Sequence, residues 1–260
     1  MNAPAPSVGI RLDPRPQGVV AYVTIDNAAK LNTLDSQLMI SFIEQVEGLA
    51  ANDDLRAVVL TGAGPKSFIG GANIHEMAGL DAESAEGFIT LVHRTCESLR
   101  DLPVPVIARV NGYALGAGLE VAAACDLRIA SSNAVFGMPE VKVGIPSVVE
   151  AALLPGLIGW GRTRELLLFG ENIDAQTALR WGLVEQVVEP AELDRAVEAR
   201  LAALLAAGPQ AVRLQKKLIR QWEDSTVTQG VRAGIDAFKQ AWATDEPTRM
   251  MGAFTNRKRT

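Results

Sequence analysis

The chain has 260 residues, 48% of them hydrophobic and 21% charged, with a formal net charge of −5, the mixture of a globular protein able to bury a large core. The mild acidity argues against nucleic acid as the main partner, and two cysteines are too few for a disulfide framework. With no basic-then-apolar leader and no uninterrupted apolar run of about 18 residues, the expectation is a cytoplasmic protein without a membrane span, its thiols Cys96 and Cys125 buried and reduced.

The opening residues, rich in Pro and Ala, read as a loose tail up to about Ser7. "VVAYVTID" (Val19–Asp26) then predicts a strand, and the turn "NAAKLNTLD" follows it. In "SQLMISFIEQVEGLAAN" the apolar residues Leu38, Phe42, Val46 and Leu49 recur at helical spacing. "LRAVVLTGAG" and "PVPVIARVNG" are short apolar strands that each end in a glycine turn. A small-residue helix around Glu120 comes next, then the short strands "DLRIAS" and "AVFGMP". Strands alternating with helices indicate an α/β fold. From about Ala191 the pattern is helical throughout, broken at Gly208-Pro209. The division drawn from this is a core over residues 1–195 and a helical region over 196–260 that packs on the core or on a neighbouring subunit.

Several glycine-rich motifs fail on inspection. "TGAGPKS" has Pro65 where a phosphate-binding loop needs Gly before Lys and Ser. "LGAGLE" lacks the third glycine of a dinucleotide fingerprint. No G-x-S-x-G elbow is present, no metal-ligand spacing is found, and His75 and His93, the only histidines, read as structural or surface residues. What remains is a pattern shared by "FIGGANI" (Phe68–Ile74) and "YALGAGLE" (Tyr113–Glu120). Each places small residues at a turn where a ligand can approach the backbone, and two converging N–H groups there would form an oxyanion hole.

Glu120 is the anomaly. It lies in a run of Ala, Val, Leu and Cys where an unpaired carboxylate is costly. Such a group is either paired or kept in a partly dry pocket with a raised pKa. Glu140 follows Pro139 twenty residues further on. Two carboxylates beside an oxyanion hole suit proton transfer at a carbon next to a carbonyl, or addition of water to a conjugated double bond.

"SFIGGANIHEM", "PVIARVNGYALGAGLEVAAACDLRIAS" and "AVFGMPEVKVGIP" resemble the enoyl-CoA hydratase/isomerase (crotonase) superfamily. The likeness extends to "AAKLNTL", "LLLFGENIDAQTALRWGLVEQVV" and "MMGAFTNRKR". The resemblance implies an α/β spiral of ββα turns with a C-terminal helical trimerisation region, assembled as a homotrimer or homohexamer. It further implies an acyl-CoA substrate whose thioester oxygen meets the amides of Ala72 and Ala117. Glu120 then activates water and Glu140 delivers a proton to the α-carbon. CoA, part of the substrate rather than a cofactor, is expected along Lys30 and Leu31 and against Gly71, Asn73 and Ile74. Gly116 and Pro139 lie beside the carboxylates, and Arg257 or Lys258 of a neighbouring subunit meets the phosphates. In isolation the terminal basic cluster reads as a solvated tail.

The sequence departs from the family pattern at three places. Asn73 replaces an Asp, Ala117 replaces a glycine, and "GIPSVVEAALLPGLIG" replaces a glycine-rich wall. In that wall Ser147 and Glu150 have the spacing of a helix capping box, while Val148, Val149 or Glu150 facing the acyl group is the alternative. The function implied is hydration of a 2-enoyl-CoA. A double-bond isomerase, another acyl-CoA lyase of the superfamily, and a non-catalytic acyl-CoA-binding scaffold are the competing readings.

Overall fold

A computed structural model describes residues 5–257. Six strands form the main sheet in the order β1 (Ser7–Arg15), β2 (Gly18–Asp26), β3 (Leu55–Gly62), β5 (Val106–Val110), β7 (Leu127–Ser131) and β10 (Gln186–Val188). A second sheet takes β4 (Ser67–Ile69), β6 (Tyr113–Leu115), β8 (Val135–Gly137) and β9 (Ile173–Asp174). The pairs β1–β2 and β8–β9 are antiparallel and the others parallel. Thus β3–β4, β5–β6 and β7–β8 each send one strand into each sheet before a helix returns the chain, which is the expected ββα spiral.

The helices are α1 (Ser36–Leu49), α2 (Ile74–Met77), α3 (Ala82–Arg100), α4 (Ala117–Ala124), α5 (Leu154–Phe169), α6 (Ala175–Trp181), α7 (Leu193–Ala206), α8 (Pro209–Glu223), α9 (Val227–Ala241) and α10 (Glu246–Arg257). Among the described residues, no helix is long and apolar enough to cross a membrane. The hairpin strand β1 went unpredicted because Pro14 and its charged residues mask the pattern; it lies at the sheet edge, where such residues are tolerated.

The continuous apolar runs of the central strands follow from burial on both faces. Val58 and Leu60 of β3 face the main core with α1, α3 and α4, while Ala57 and Val59 meet Leu193, Val197, Leu201 and Leu205 of α7 on the other side. The division drawn after residue 195 therefore falls inside a helix that packs on the sheet. Past Gly208, α8 is tied to the core by cations. Lys216 Nζ donates to Leu99 O (3.2 Å), Val104 O (2.9 Å) and Asp126 Oδ2 (2.8 Å), and Arg213 reaches the carbonyls of Asp53 and Leu55. On α9, Val231, Ile235 and Phe238, with Trp242 just past its end, lie on one exposed face, with Phe238 69% exposed.

Two asparagines lock the crossing between the sheets. Asn32 is fully buried, in the left-handed region at φ 57°, and its Nδ2 donates to Ala63 O (3.0 Å) and Ser67 O (2.8 Å). Its Oδ1 accepts from the Asn27 N–H at 2.9 Å. Asn111 Nδ2 donates to the same Ser67 carbonyl (3.2 Å) and to Gly62 O (3.0 Å). Alanine tolerates positive φ poorly and would leave these buried groups unpaired. Asn32→Ala is expected to lose about 3 kcal/mol of stability, read as a lowered urea midpoint at unchanged slope.

Candidate active site

The site is built from the turns that precede α2 and α4. At the first, Gly71 takes φ +114°, a conformation open to glycine, and a Cβ there would crowd Leu115 O at 3.2 Å. Leu34 N–H donates to Gly71 O (2.9 Å) and Asn73 N–H to Leu34 O (2.7 Å), so both peptides flanking Ala72 are engaged in a short bridge. At the second, Gly116 has φ +51°, and its N–H is held by Gly137 O at 2.9 Å. Its carbonyl accepts from Leu119 N (2.8 Å) and Glu120 N (3.1 Å), which starts α4. The N–H groups of Ala72 and Ala117 donate to no acceptor among the described residues. Both residues line one cleft of about 1180 Å³. Two free amides on one cleft wall, one of them at a helix start, are the donor set an oxyanion needs.

Glu120 sits one turn into α4, 4% exposed, in a helix whose every residue is buried. Its Oε1 accepts a 3.2 Å hydrogen bond from the Ala151 N–H. Burial and the neighbouring charge of Glu140 push its pKa up to about 8, against the opposing pull of the Ala151 N–H; Glu150 adds a smaller push in the same direction. Glu140 lies in the 3₁₀ turn Pro139–Val143 after β8. Burial raises its pKa as well, opposed by its own backbone N–H and by the Ser147 hydroxyl, which donates to Glu140 Oε2 at 2.8 Å. Gly116 leaves the space that Glu140 Oε1 occupies, since a Cβ there would overlap it. The two carboxylates thus border one cleft, Glu140 held by the Ser147 hydroxyl and Glu120 by an amide it shares with Val148 O, and each is biased toward its protonated form.

The cleft gathers most of the residues singled out in the sequence: Lys30, Leu31, Gly71, Ala72, Asn73, Ile74, Gly116, Ala117, Glu120, Pro139 and Glu140. Asn73 caps α2 by accepting from the His75 N–H at 3.1 Å. The rest of the lining includes an apolar group, Met77, Leu80, Phe88, Ile89 and Val92 from α2, α3 and their connection, together with Val148, and the polar residues Thr33, Asp81, Glu86 and Lys142. Ser147 acts through Glu140 and does not line the cleft.

The capping box does not form. The 3₁₀ turn Val149–Leu153 is preceded by Val148 and carries no side-chain cap, because Ser147 is committed to Glu140 and Glu150 turns inward. Glu150 is 7% exposed and pairs with His93 Nδ1 at 2.8 Å, so it does not face the cleft as the alternative had it; of the three wall residues only Val148 does. His93, dismissed in the sequence as structural or surface, is therefore bound to chemistry-bearing neighbours. No local signal announces a partner 57 positions away. His75 also lines the cleft. Arg257 ends α10, and Lys258 lies outside the described residues.

The model of the enoyl-CoA hydratase/isomerase family matches residues 15–260. The chain belongs to that family. It is 39% identical to a short-chain-enoyl-CoA hydratase of Clostridium acetobutylicum, with 94% of each chain covered. It is 36% identical to a crotonyl-CoA hydratase of Syntrophomonas wolfei, over 92% of this chain and 93% of the relative. Among solved structures, an enoyl-CoA hydratase from Bacillus anthracis superposes with a TM-score of 0.90 at 32% identity, covering 95% of this chain and 96% of the other. The crotonase fold expected from the motifs is thereby shown.

Two outcomes follow from this geometry. Gly116→Ala should fold yet lose about 10²-fold in turnover, because the added methyl displaces the Glu140 carboxylate; steady-state kinetics beside a thermal melt checks this. A pKa raised on folding means that the native state loses stability as the pH climbs from about 4.5 to about 8. Glu120→Gln should match the parent below that window and exceed it by on the order of 3 kcal/mol above it, measured by denaturant unfolding across pH.

Proposed function

We propose that the protein is a 2-enoyl-CoA hydratase. The observation that carries this reading is that the buried carboxylate of Glu120 and the half-buried one of Glu140 share one cleft with the two free amides of Ala72 and Ala117. The hydratase names of the relatives support it.

The thioester carbonyl of the substrate rests on the amides of Ala72 and Ala117. Water held between the carboxylates adds through its oxygen to the β-carbon, syn to the proton that arrives at the α-carbon. The π electrons of the double bond move onto the thioester oxygen, giving an enolate. As the carbonyl re-forms, the α-carbon takes its proton. Water gives one proton to Glu120, and Glu140 delivers one to the α-carbon. Burial raises both pKa values, and the charge of Glu140 raises that of Glu120 further, which favours a pair that carries one proton between them. With Glu140 protonated, its repulsion on Glu120 is gone, which favours Glu120 as the ionised group that accepts the proton of water. Each amide lowers the barrier by about 3–4 kcal/mol, and the positioned carboxylates add about 10²–10⁴-fold.

Lys30, exposed and part of the cleft lining, is the cation we assign to a phosphate of CoA, and the apolar side chains of Met77, Leu80, Phe88, Ile89 and Val92 suit an acyl chain. The exposed apolar face of α9, beside α8, suits burial between copies of the chain as a trimer or a pair of trimers. Light scattering should then give a mass of three or six chains, with Phe238→Glu dissociating them.

The decisive experiment uses crotonyl-CoA in ¹⁸O-labelled water. One labelled water is expected in the product, slowed by about 10²–10⁴-fold in Glu120→Gln and in Glu140→Gln. No mass gain, with a 3-enoyl-CoA isomerised instead, would replace hydration by double-bond migration.

A further inference from the structure

Behind the cleft lies a second layer of polar groups that the reaction just described does not use. Glu150 is buried, with its Oε1 against His93 Nδ1 at 2.8 Å and its Oε2 without a partner among the described residues. A buried carboxyl with one partner is expensive, and a turn has no need of it. The residue after it, Ala151, supplies the N–H that holds Glu120. The residue before it, Val149, has φ +38°, which a β-branched side chain adopts only when its surroundings force it. Three contacts provide that force: the Val149 side chain packed on the core, the His93–Glu150 pair, and the Ala151 amide on Glu120. The Ala151 N–H is shared between Val148 O at 2.9 Å and Glu120 Oε1 at 3.2 Å, so a small tilt of this peptide decides how much of the bond Glu120 receives.

We infer that His93 and Glu150 form a clasp between α3 and the turn Val149–Leu153 that positions the Ala151 amide, and through it the Glu120 carboxylate, for the hydration proposed above. His93 is the outer half of the clasp. It is partly exposed, and its Nε2 lies 3.7 Å from Glu97 Oε2 one helical turn along. With the proton on Nδ1 it donates to Glu150, whose carboxylate can only accept. Neither residue lines the cleft, so both are positioning residues, acting on the orientation of Glu120 and not on binding of the CoA portion. The ionisable groups that bear on the pair and on Glu120 are Cys96 of α3, Glu97 and Glu140.

The test compares His93→Leu, which breaks the clasp, with His93→Asn, whose amide nitrogen can stand where Nδ1 stands, and with Glu150→Gln, which keeps an acceptor but removes the charge. In His93→Leu, kcat should fall about 10- to 100-fold, the scale of a misplaced catalytic group, with KM for crotonyl-CoA unchanged. His93→Asn should recover most of the loss. Carbon-13 NMR of labelled glutamate carboxyls, with Glu120→Gln to assign the signal, should show the Glu120 titration displaced in His93→Leu and restored in His93→Asn. In Glu150→Gln it should move to lower pH, since one of the charges that raise it is gone.

An unchanged kcat in His93→Leu, an equal loss in His93→Asn, or a Glu120 titration indifferent to all three substitutions would overturn the inference. If His93→Leu does not fold, Glu150→Gln and His93→Asn carry the same comparison through the Glu120 titration. A parent enzyme that hydrates nothing would sink the proposed reaction, whereas the NMR titration would still decide the clasp.

Discussion

One backbone N–H, that of Ala151, shared with Val148 O, donates to a carboxylate in a place where burial opposes its charge. Glu120 lies inside a helix buried all round, and the price of that location is visible as a pKa raised far above the carboxylate range. The parts around it follow from this constraint. Gly116 has no side chain because Glu140 Oε1 stands over it, Ser147 gives its hydroxyl to Glu140 instead of capping a helix, and Val149 is bent into an unfavourable backbone region to bring the next two residues to their partners. Local rules are broken where the chemistry is, and the surrounding contacts compensate.

The two free amides come from different turns of the spiral, so their spacing depends on how the two sheets are joined. The shared carbonyl of Ser67 is the junction, taking a hydrogen bond from Asn32 on one side and Asn111 on the other. Asn32 follows β2 and Asn111 follows β5, which ties the exit from β2 and the crossings β3–β4 and β5–β6 to one oxygen. The chain beyond Ser67 leads to Ala72, and the chain beyond Asn111 leads to Ala117. A pair of buried amides therefore fixes the frame in which the oxyanion donors are placed.

Much of this was legible in the sequence where the signal is local. The strands "VVAYVTID" and "LRAVVLTG" stand close to their predicted limits, because runs buried on both faces announce themselves. The break at Gly208-Pro209 is a helix boundary, and the small residues before Ala72 and Ala117 mark real turns. Glu120 betrayed itself by being a charge among alanines. What escaped notice depends on distance along the chain. Serine and glutamate three apart have the form of a capping box, yet Ser147 found Glu140 and Glu150 found His93 from another helix. The strand β1 was hidden by its edge position, and α7 joins the sheet although its sequence resembles that of the helices after it.

The burial of α4 on every side has a further meaning for how such an enzyme can diversify. Gly118 packs so closely on the Ile69 carbonyl that no larger residue fits, and Arg128 closes the other end by donating to Cys125 O at 2.8 Å. A helix with no free face offers mutation nowhere to act without disturbing the fold. Variation must then enter through α3 and the loop at Val148, which touch the cleft without carrying its amides or its acids. The reactive half of the pocket and the half that meets the acyl chain are thereby separable in ancestry: one is frozen by packing, and the other is open to drift and selection.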